Sequence, residues 1–143
     1  MPAPPKPPLG LDLTRTARLV SKAFDAELAR AGGSLPVWLV LLSLKTRPMR
    51  NQRELAEAVG IREATLTHHL NGMDASGLVT RRRDPANRRV HLVELTEAGE
   101  AAFRRLHDVT TAFDARLRAG LCAEDIEAFG RVLGQLRANV GTP

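Results

Sequence analysis

The spacing of apolar positions changes several times along the chain, and each change marks an element. From Asp12 onward Leu13, Ala17, Val20, Phe24, Leu28 and Ala31 recur at steps of three and four. That spacing lines one stripe of a helix, which Gly32-Gly33 closes. Ser34-Leu35-Pro36 restarts a helix with proline at a tolerated early position. Val37, Trp38, Leu39, Val40, Leu41, Leu42 and Leu44 are apolar nearly all round, which predicts a central, buried helix ending near Arg47-Pro48.

The elements then shorten. Asn51-Gln52-Arg53-Glu54 reads as an N-cap with a glutamate three residues on, opening a helix over 52–59 that Gly60 stops. A second helix over 62–75 buries Leu66, Leu70 and Met73 and ends before Gly77. With Leu55, Val59, Ile61 and Leu66 available to fix the angle between them, the two helices form a helix-turn-helix pattern. Many helical pairs share that pattern, so the next segment decides more. Residues 78–83 and 89–95 are both β-like, the second alternates apolar with polar, and Asp84-Pro85-Ala86-Asn87 between them is turn chemistry. A hairpin with arginines at its tip, directly after a helix-turn-helix, is a wing. A helix in the major groove fixes one contact with DNA, and a basic hairpin reaching the adjacent minor groove or backbone fixes the orientation.

Beyond the hairpin, Thr96 caps a long helix with Ala102, Leu106, Val109, Phe113 and Leu117 on one stripe. Leu121-Cys122 interrupts it, and a last helix carries Ile126, Phe129, Leu133, Leu136 and Val140. Three such stripes, counting the first helix, exceed what a small winged module can cover, so an intermolecular bundle is expected. Its candidate interface residues are Leu13, Val20, Ile126, Phe129, Leu133 and Leu136. The expected fold is mainly α (α+β): a winged helix-turn-helix over 34–95, dimerisation helices over 11–33 and 96–143, and a disordered Pro-rich tail over 1–10. Two linked heads would read half-sites about one DNA turn, roughly 34–36 Å, apart.

Composition narrows the function. A chain of 143 residues with 43% hydrophobic content is one domain, or one with a dimerisation extension, and is not globally disordered. The absence of Tyr and an aromatic content of 3% argue against a platform that stacks RNA bases. A single cysteine excludes an internal disulfide and fits a reducing compartment. The longest apolar run, Leu35–Leu44, is too short for a bilayer and the first residues lack a signal-like apolar region. A cytoplasmic protein with no membrane partner is expected. The net charge of +5 is concentrated: ten Lys/Arg face five Asp/Glu between Lys45 and His91, and the remainder carries eleven of each. Arg81, Arg82, Arg83, Arg88 and Arg89 supply half of those cations. A solvated charge run is the bland reading, but a surplus confined to one module points to double-stranded DNA. No Gly-rich phosphate loop, nucleophile elbow or clustered acid–base set suggests an enzyme or a cofactor. His68, His69, His91 and His107 lack metal-ligand spacing.

Taken together, residues 52–61, Leu66-Thr67-His68-His69-Leu70-Asn71-Gly72-Met73, Gly77-Leu78-Val79, 83–89 and Leu95-Thr96-Glu97-Ala98-Gly99 resemble the MarR family of transcriptional regulators. The resemblance runs from about Gly33 to Phe103 by motif, and its most specific part is the wing followed by Leu-Thr-Glu-Ala-Gly. It implies a homodimeric regulator of transcription, a repressor in the usual case, that binds a pseudo-palindromic operator and is often released by a small ligand or by cysteine oxidation. Carried over position by position, it puts DNA contacts on Ala64, Thr65, Thr67, His68 and Asn71, and on Arg88 of the wing, to which the basic hairpin adds Arg81, Arg82, Arg83 and Arg89 as candidates. Helical arithmetic with Leu66 facing inward agrees for Ala64, Thr67, His68, Asn71 and Ala75, and leaves Thr65 at the flank; His69 falls at the edge of the inner face. Asp84 matches an acid that pairs with the arginine at 88 and braces the hairpin, whereas Asn87 stands where the family has Asp. Asn51 and Gln52 fall at a helix start near the DNA backbone. A cleft for a small aromatic or lipophilic ligand is also implied; Trp38 either lines it or belongs to the core. Cys122 reads as a small N-cap substitute, with a redox role as the sharper alternative. The rival reading of the whole chain is a winged module for protein–protein contact, an adaptor or antirepressor without its own operator.

Overall fold

The computed structural model describes residues 1–2, 4–48 and 50–141. Ala3 of the expected tail and Thr142 and Pro143 of the expected terminal segment lie outside the described residues. The element order is α1 (Leu9–Arg30), α2 (Leu35–Thr46), β1 (Arg50–Asn51), α3 (Gln52–Val59), α4 (Glu63–Ala75), β2 (Val79–Arg83), β3 (His91–Leu95), α5 (Glu97–Arg118) and α6 (Ala123–Val140). This is the mainly helical winged helix-turn-helix expected from the pattern. The chain divides into two compact units, 1–110 and 111–143.

In the first unit, α1 starts at Leu9, inside the stretch expected to be tail. Pro8 occupies the N-cap with φ −54 and ψ 142, and no side chain caps the helix there. The Pro8 carbonyl accepts the Asp12 amide at 3.0 Å, so the helix begins there without the polar side-chain cap that sequence reading looks for. Ser34 caps α2 by accepting the Val37 amide at 3.4 Å. Trp38, Val40, Leu41 and Leu44 of α2 are buried, but Leu35 and Leu42 are exposed, so this helix is central without being covered all round. Around it pack Leu28 of α1, Leu55 and Ala56 of α3, Leu66, Leu70 and Met73 of α4, Val79 and Val93 of the sheet, and Ala102 and Leu106 of α5.

The sheet order is β1-β3-β2, with both pairings antiparallel. β3 is therefore central, and it begins at His91, two residues later than the alternation suggested. β1 was not foreseen: two residues carry no period, and they become a strand only by pairing with Val93 and Leu92. The Leu-Thr-Glu-Ala-Gly stretch acts as a latch. The Thr96 amide donates to the Leu78 carbonyl at 3.1 Å, the Thr96 hydroxyl donates to the Gly77 carbonyl, and the Gly99 amide donates to Thr96 Oγ1 at 3.0 Å. A Cβ on Gly99 would run into the Leu78 carbonyl oxygen, so only glycine lets the start of α5 lie against the chain leaving α4.

The second unit holds the end of α5, a turn at Gly120 and α6. None of the α6 residues is buried, and Phe129, Val132 and Val140 are exposed. Cys122 sits at the N-cap of α6, where its amide donates to Asp125 Oδ2 at 3.3 Å. Glu124 is held below the usual carboxylate range, first by the hydrogen bond from its own backbone amide and then by the Cys122 thiol. The exposed cysteine thus takes up the helix-start geometry that a serine would. No single helix among the described residues is long and apolar enough to cross a membrane.

Candidate nucleic-acid interface

The helix-turn-helix is fixed by short-range chemistry. Asn51 Oδ1 accepts the Glu54 amide at 2.8 Å, which starts α3 where its cap predicted. The Glu54 carboxylate pairs with Arg47 at 3.5 Å. Gly60 ends α3 in the left-handed region, φ 78, and its amide closes on the Ala56 carbonyl. The two helices are then tied through side chains. Gln52 Nε2 donates to Thr67 Oγ1 at 3.1 Å, and the same hydroxyl donates to the Glu63 carbonyl at 2.9 Å.

With Leu66, Leu70 and Met73 buried, α4 turns Ala64, Thr65, His68 and Asn71 to solvent. Thr67, expected among the outward residues, is half-buried and already engaged with Gln52. His69 is half-buried, and its ring stands edge-on to His68 at a centroid distance of 5.7 Å. The exposed face of α4 therefore combines a hydroxyl, an imidazole and a carboxamide, groups able to donate to and accept from base edges.

The wing arginines divide into two sets. Arg81 pairs with Asp74 of α4 at 3.1 Å, and Arg82 pairs with Glu94 on the neighbouring strand at 2.9 Å. Arg83, Arg88 and Arg89 are exposed and have no ion pair among the described residues. The charge offered to solvent is thus displaced toward the hairpin tip, and sequence alone had put all five arginines there on equal terms. Bracing of the tip also differs from expectation. Asp84 Oδ1 accepts the Ala86 amide at 2.9 Å, and the Asp84 amide donates to the Val90 carbonyl at 2.8 Å. The aspartate holds the turn through backbone groups and makes no ion pair with Arg88. Asn87 Oδ1 accepts the Arg89 amide at 3.2 Å, so its carbonyl oxygen performs the bracing an aspartate would and leaves the tip one negative charge poorer.

Between these elements lies a cleft of about 390 Å³ lined by Asn51, Gln52 and Arg53 at the start of α3, Glu63 at the start of α4, and Arg89, Val90 and His91 of the wing. Two expected backbone contacts, Asn51 and Gln52, share it with a tip arginine. Comparison with known proteins gives the family. The sequence profile of the MarR family matches residues 34–91. A solved structure of the transcriptional repressor CouR bound to a 23-mer DNA duplex is 30% identical, covers 90% of this chain and 92% of its own, and superposes with a TM-score of 0.81. The chain belongs to the MarR family. Two more distant structures share the fold. A mutant MarR from E. coli complexed with operator DNA is 22% identical over 90% of this chain and 93% of its own, with a TM-score of 0.80. PcaV from Streptomyces coelicolor in complex with its natural ligand is 23% identical over 96% of this chain and all (100%) of its own, with a TM-score of 0.79.

Within this MarR-family head, Trp38 falls on the core side of the two readings. It is 5% exposed, stacks on Phe103 at 5.4 Å and 14°, and also meets His107 at 6.0 Å. Lys45 lies over the same Phe103 ring, 5.7 Å from its centroid, and pairs with Glu100 at 2.6 Å. Among the described residues no three His, Cys, Asp or Glu side chains group so as to hold a metal. Sequence reasoning missed Arg53, Glu63 and His91 in the cleft, and Asp74 and Glu94 as partners of arginines. Arg53 and Glu63 each carried a signal, since both open a helix beside the expected DNA face. The others depend on strand register.

Proposed function

We propose that this chain is a sequence-specific regulator of transcription, a repressor by mode of action, that binds a pseudo-palindromic operator in duplex DNA as a homodimer. The observation that carries the reading is the exposed polar face of α4 standing in one module with the three unpaired tip arginines, with a cleft between the helix starts and the wing that Glu63 and Arg89 both line. Ala64, Thr65, His68 and Asn71 are the proposed groove contacts of the helix, and Arg83, Arg88 and Arg89 those of the wing. Arg81 and Arg82 are assigned to holding the wing, because each already faces a carboxylate. The CouR structure with its duplex supports the same use of the fold. The helices of 11–33 and 96–143 are the proposed dimer contacts, through Leu13 and Val20 on α1 and Ile126, Phe129, Leu133 and Leu136 on α6. The chain on this reading is a binding protein rather than an enzyme.

Selection of bound sequences from random duplex DNA tests the proposal. Recovery of a two-fold-related motif with half-sites spaced by about one helical turn is expected. Retention of no duplex above background, with a folded protein, would overturn it. Release of DNA by a small aromatic or lipophilic compound is proposed as the regulation. Repeating the selection with such compounds present should lower recovery for an active one.

A further inference from the structure

A reading helix in the major groove and a hairpin reaching the adjacent minor groove leave one sugar–phosphate strand between them, since a single strand separates neighbouring grooves. The cleft of about 390 Å³ occupies that gap, between the first residue of α4 and the wing. Its charged lining is Arg53, Glu63 and Arg89, joined by His91. Two arginines against one carboxylate leave the cleft net positive by one with His91 neutral, and by two with it charged.

The strand register explains why His91 belongs to this lining. It lies two residues before the buried Val93, so both side chains leave β3 on the same face, the one turned to the helices. His91 is itself exposed, and Arg83 stands opposite it across the ladder. The charged groups around the imidazole are therefore Arg83, opposite it on β2, and Arg89 of the tip, Arg53 of α3 and Glu63 of α4, which line the cleft with it, Arg53 also pairing with Glu57 at 3.6 Å. Three of the four are cations. An anion entering the cleft adds the opposite charge, and a phosphate within reach favours the imidazolium over the imidazole.

We propose that this cleft seats one phosphate of the DNA backbone and that His91 is its titratable contact, so that duplex affinity rises as pH falls. The inference rests on the DNA-binding reading and deepens it. Histidine changes charge between about pH 5 and 8, so the contact is complete at the acid end of that range and reduced at the alkaline end. The sign follows from linkage: binding takes up a proton, and proton uptake is favoured at low pH. Because a backbone phosphate is present in any sequence, the effect acts on specific and nonspecific duplexes alike.

The experiment uses the full chain and a short random-sequence duplex. Affinity is measured at about pH 5.5 and about pH 8.0 for the wild type, His91→Gln and His91→Lys. The wild type is expected to bind about three- to tenfold tighter at the lower pH, the scale of one weak charge-assisted contact. Its log-affinity against log-salt slope should be steeper there by about one per head. His91→Gln should lose most of that dependence, and His91→Lys should bind tightly at both values. His68, His69 and His107 are common to all three proteins, so their contributions cancel in the comparison. Circular dichroism checks that the variants fold, as expected for substitutions at an exposed strand start. A pH dependence as large in His91→Gln as in the wild type, or none in the wild type, overturns the phosphate seat and leaves the DNA-binding reading standing. Failure of every protein to bind duplex at either pH overturns both.

Discussion

The side-chain amide of Gln52 and the hydroxyl of Thr67 meet at 3.1 Å, tying the first turn of α3 to the second turn of α4. Two short helices bury little surface against each other, so one directional bond has leverage over the angle between them. Thr67→Val keeps the shape and removes the acceptor. Urea unfolding should show a loss of about 1 kcal/mol, the net value of an ordinary hydrogen bond. Base discrimination should fall more than affinity for random duplex. Unchanged stability and unchanged discrimination together would mean that the bond does not set the angle.

His68 and His69 are neighbours in sequence that differ in exposure. His68→Ala should leave the melting temperature nearly unchanged and relax base preference at one position per half-site by about 1–3 kcal/mol. His69→Leu should be neutral or stabilising, since it removes a half-buried polar group that needs a partner. The reverse outcome, with sequence preference abolished only by His69→Leu, would show that α4 presents a different face.

The division among the arginines predicts two kinds of effect. Arg88→Ala should weaken binding to all duplexes and make the log-affinity against log-salt slope shallower by about one. Arg81→Ala should change that slope little and act instead through the lost pair with Asp74, a bridge whose arginine is half-buried, worth about 1 kcal/mol. Equal loss of slope in both variants would place Arg81 on the DNA as well.

Two glycines separate backbone from side-chain crowding. Gly99→Ala forces a methyl group against the Leu78 carbonyl oxygen and should cost about 3 kcal/mol or more, at the upper end of overpacking. Gly33→Ala meets the methyl groups of Leu106 at 2.6 and 2.8 Å, the end of a side chain able to shift. A loss of about 1–2 kcal/mol is expected there. Thermal unfolding of the two variants checks the order, and an equal loss would remove the latch as the reason for glycine at 99.

Much of the head was legible because its signals are local. Asn51 with Glu54 gave the start of α3 and Gly60 its end, and the cap and the left-handed residue stand there. The inward set of α4 followed from steps of three and four. What escaped depends on partners distant in sequence. β1 exists only through Val93 and Leu92. The Arg81–Asp74 pair needs β2 to pass the last turn of α4, and no spacing rule gives that. The entry to α1 was misplaced because apolar periodicity begins at Leu13, whereas the backbone turns helical right after Pro8. The role of Asn87 was open because asparagine and aspartate brace a turn with the same atom and differ only in charge.

α6 carries Phe129 at 58% and Val140 at 83% exposure, with no buried residue of its own. Such a surface on a terminal helix needs a cover in solution. Deleting residues 124–143 should yield monomer or aggregate, with operator affinity lower by orders of magnitude. Light scattering that finds a soluble dimer of the shortened chain would move the interface elsewhere.

The unpaired arginines of the tip also bear on search. Under the proposed function, Arg83, Arg88 and Arg89 project charge with no carboxylate to cancel it, and Asn87 removes one acid from their midst. Such a tip speeds encounter with any duplex and lets the protein slide along it, at a rate that falls as salt rises. The helix face, carrying hydroxyl, imidazole and carboxamide but no lysine or arginine, adds little to that drift. Time to reach an operator is then governed by the hairpin, and the length of the stay by α4.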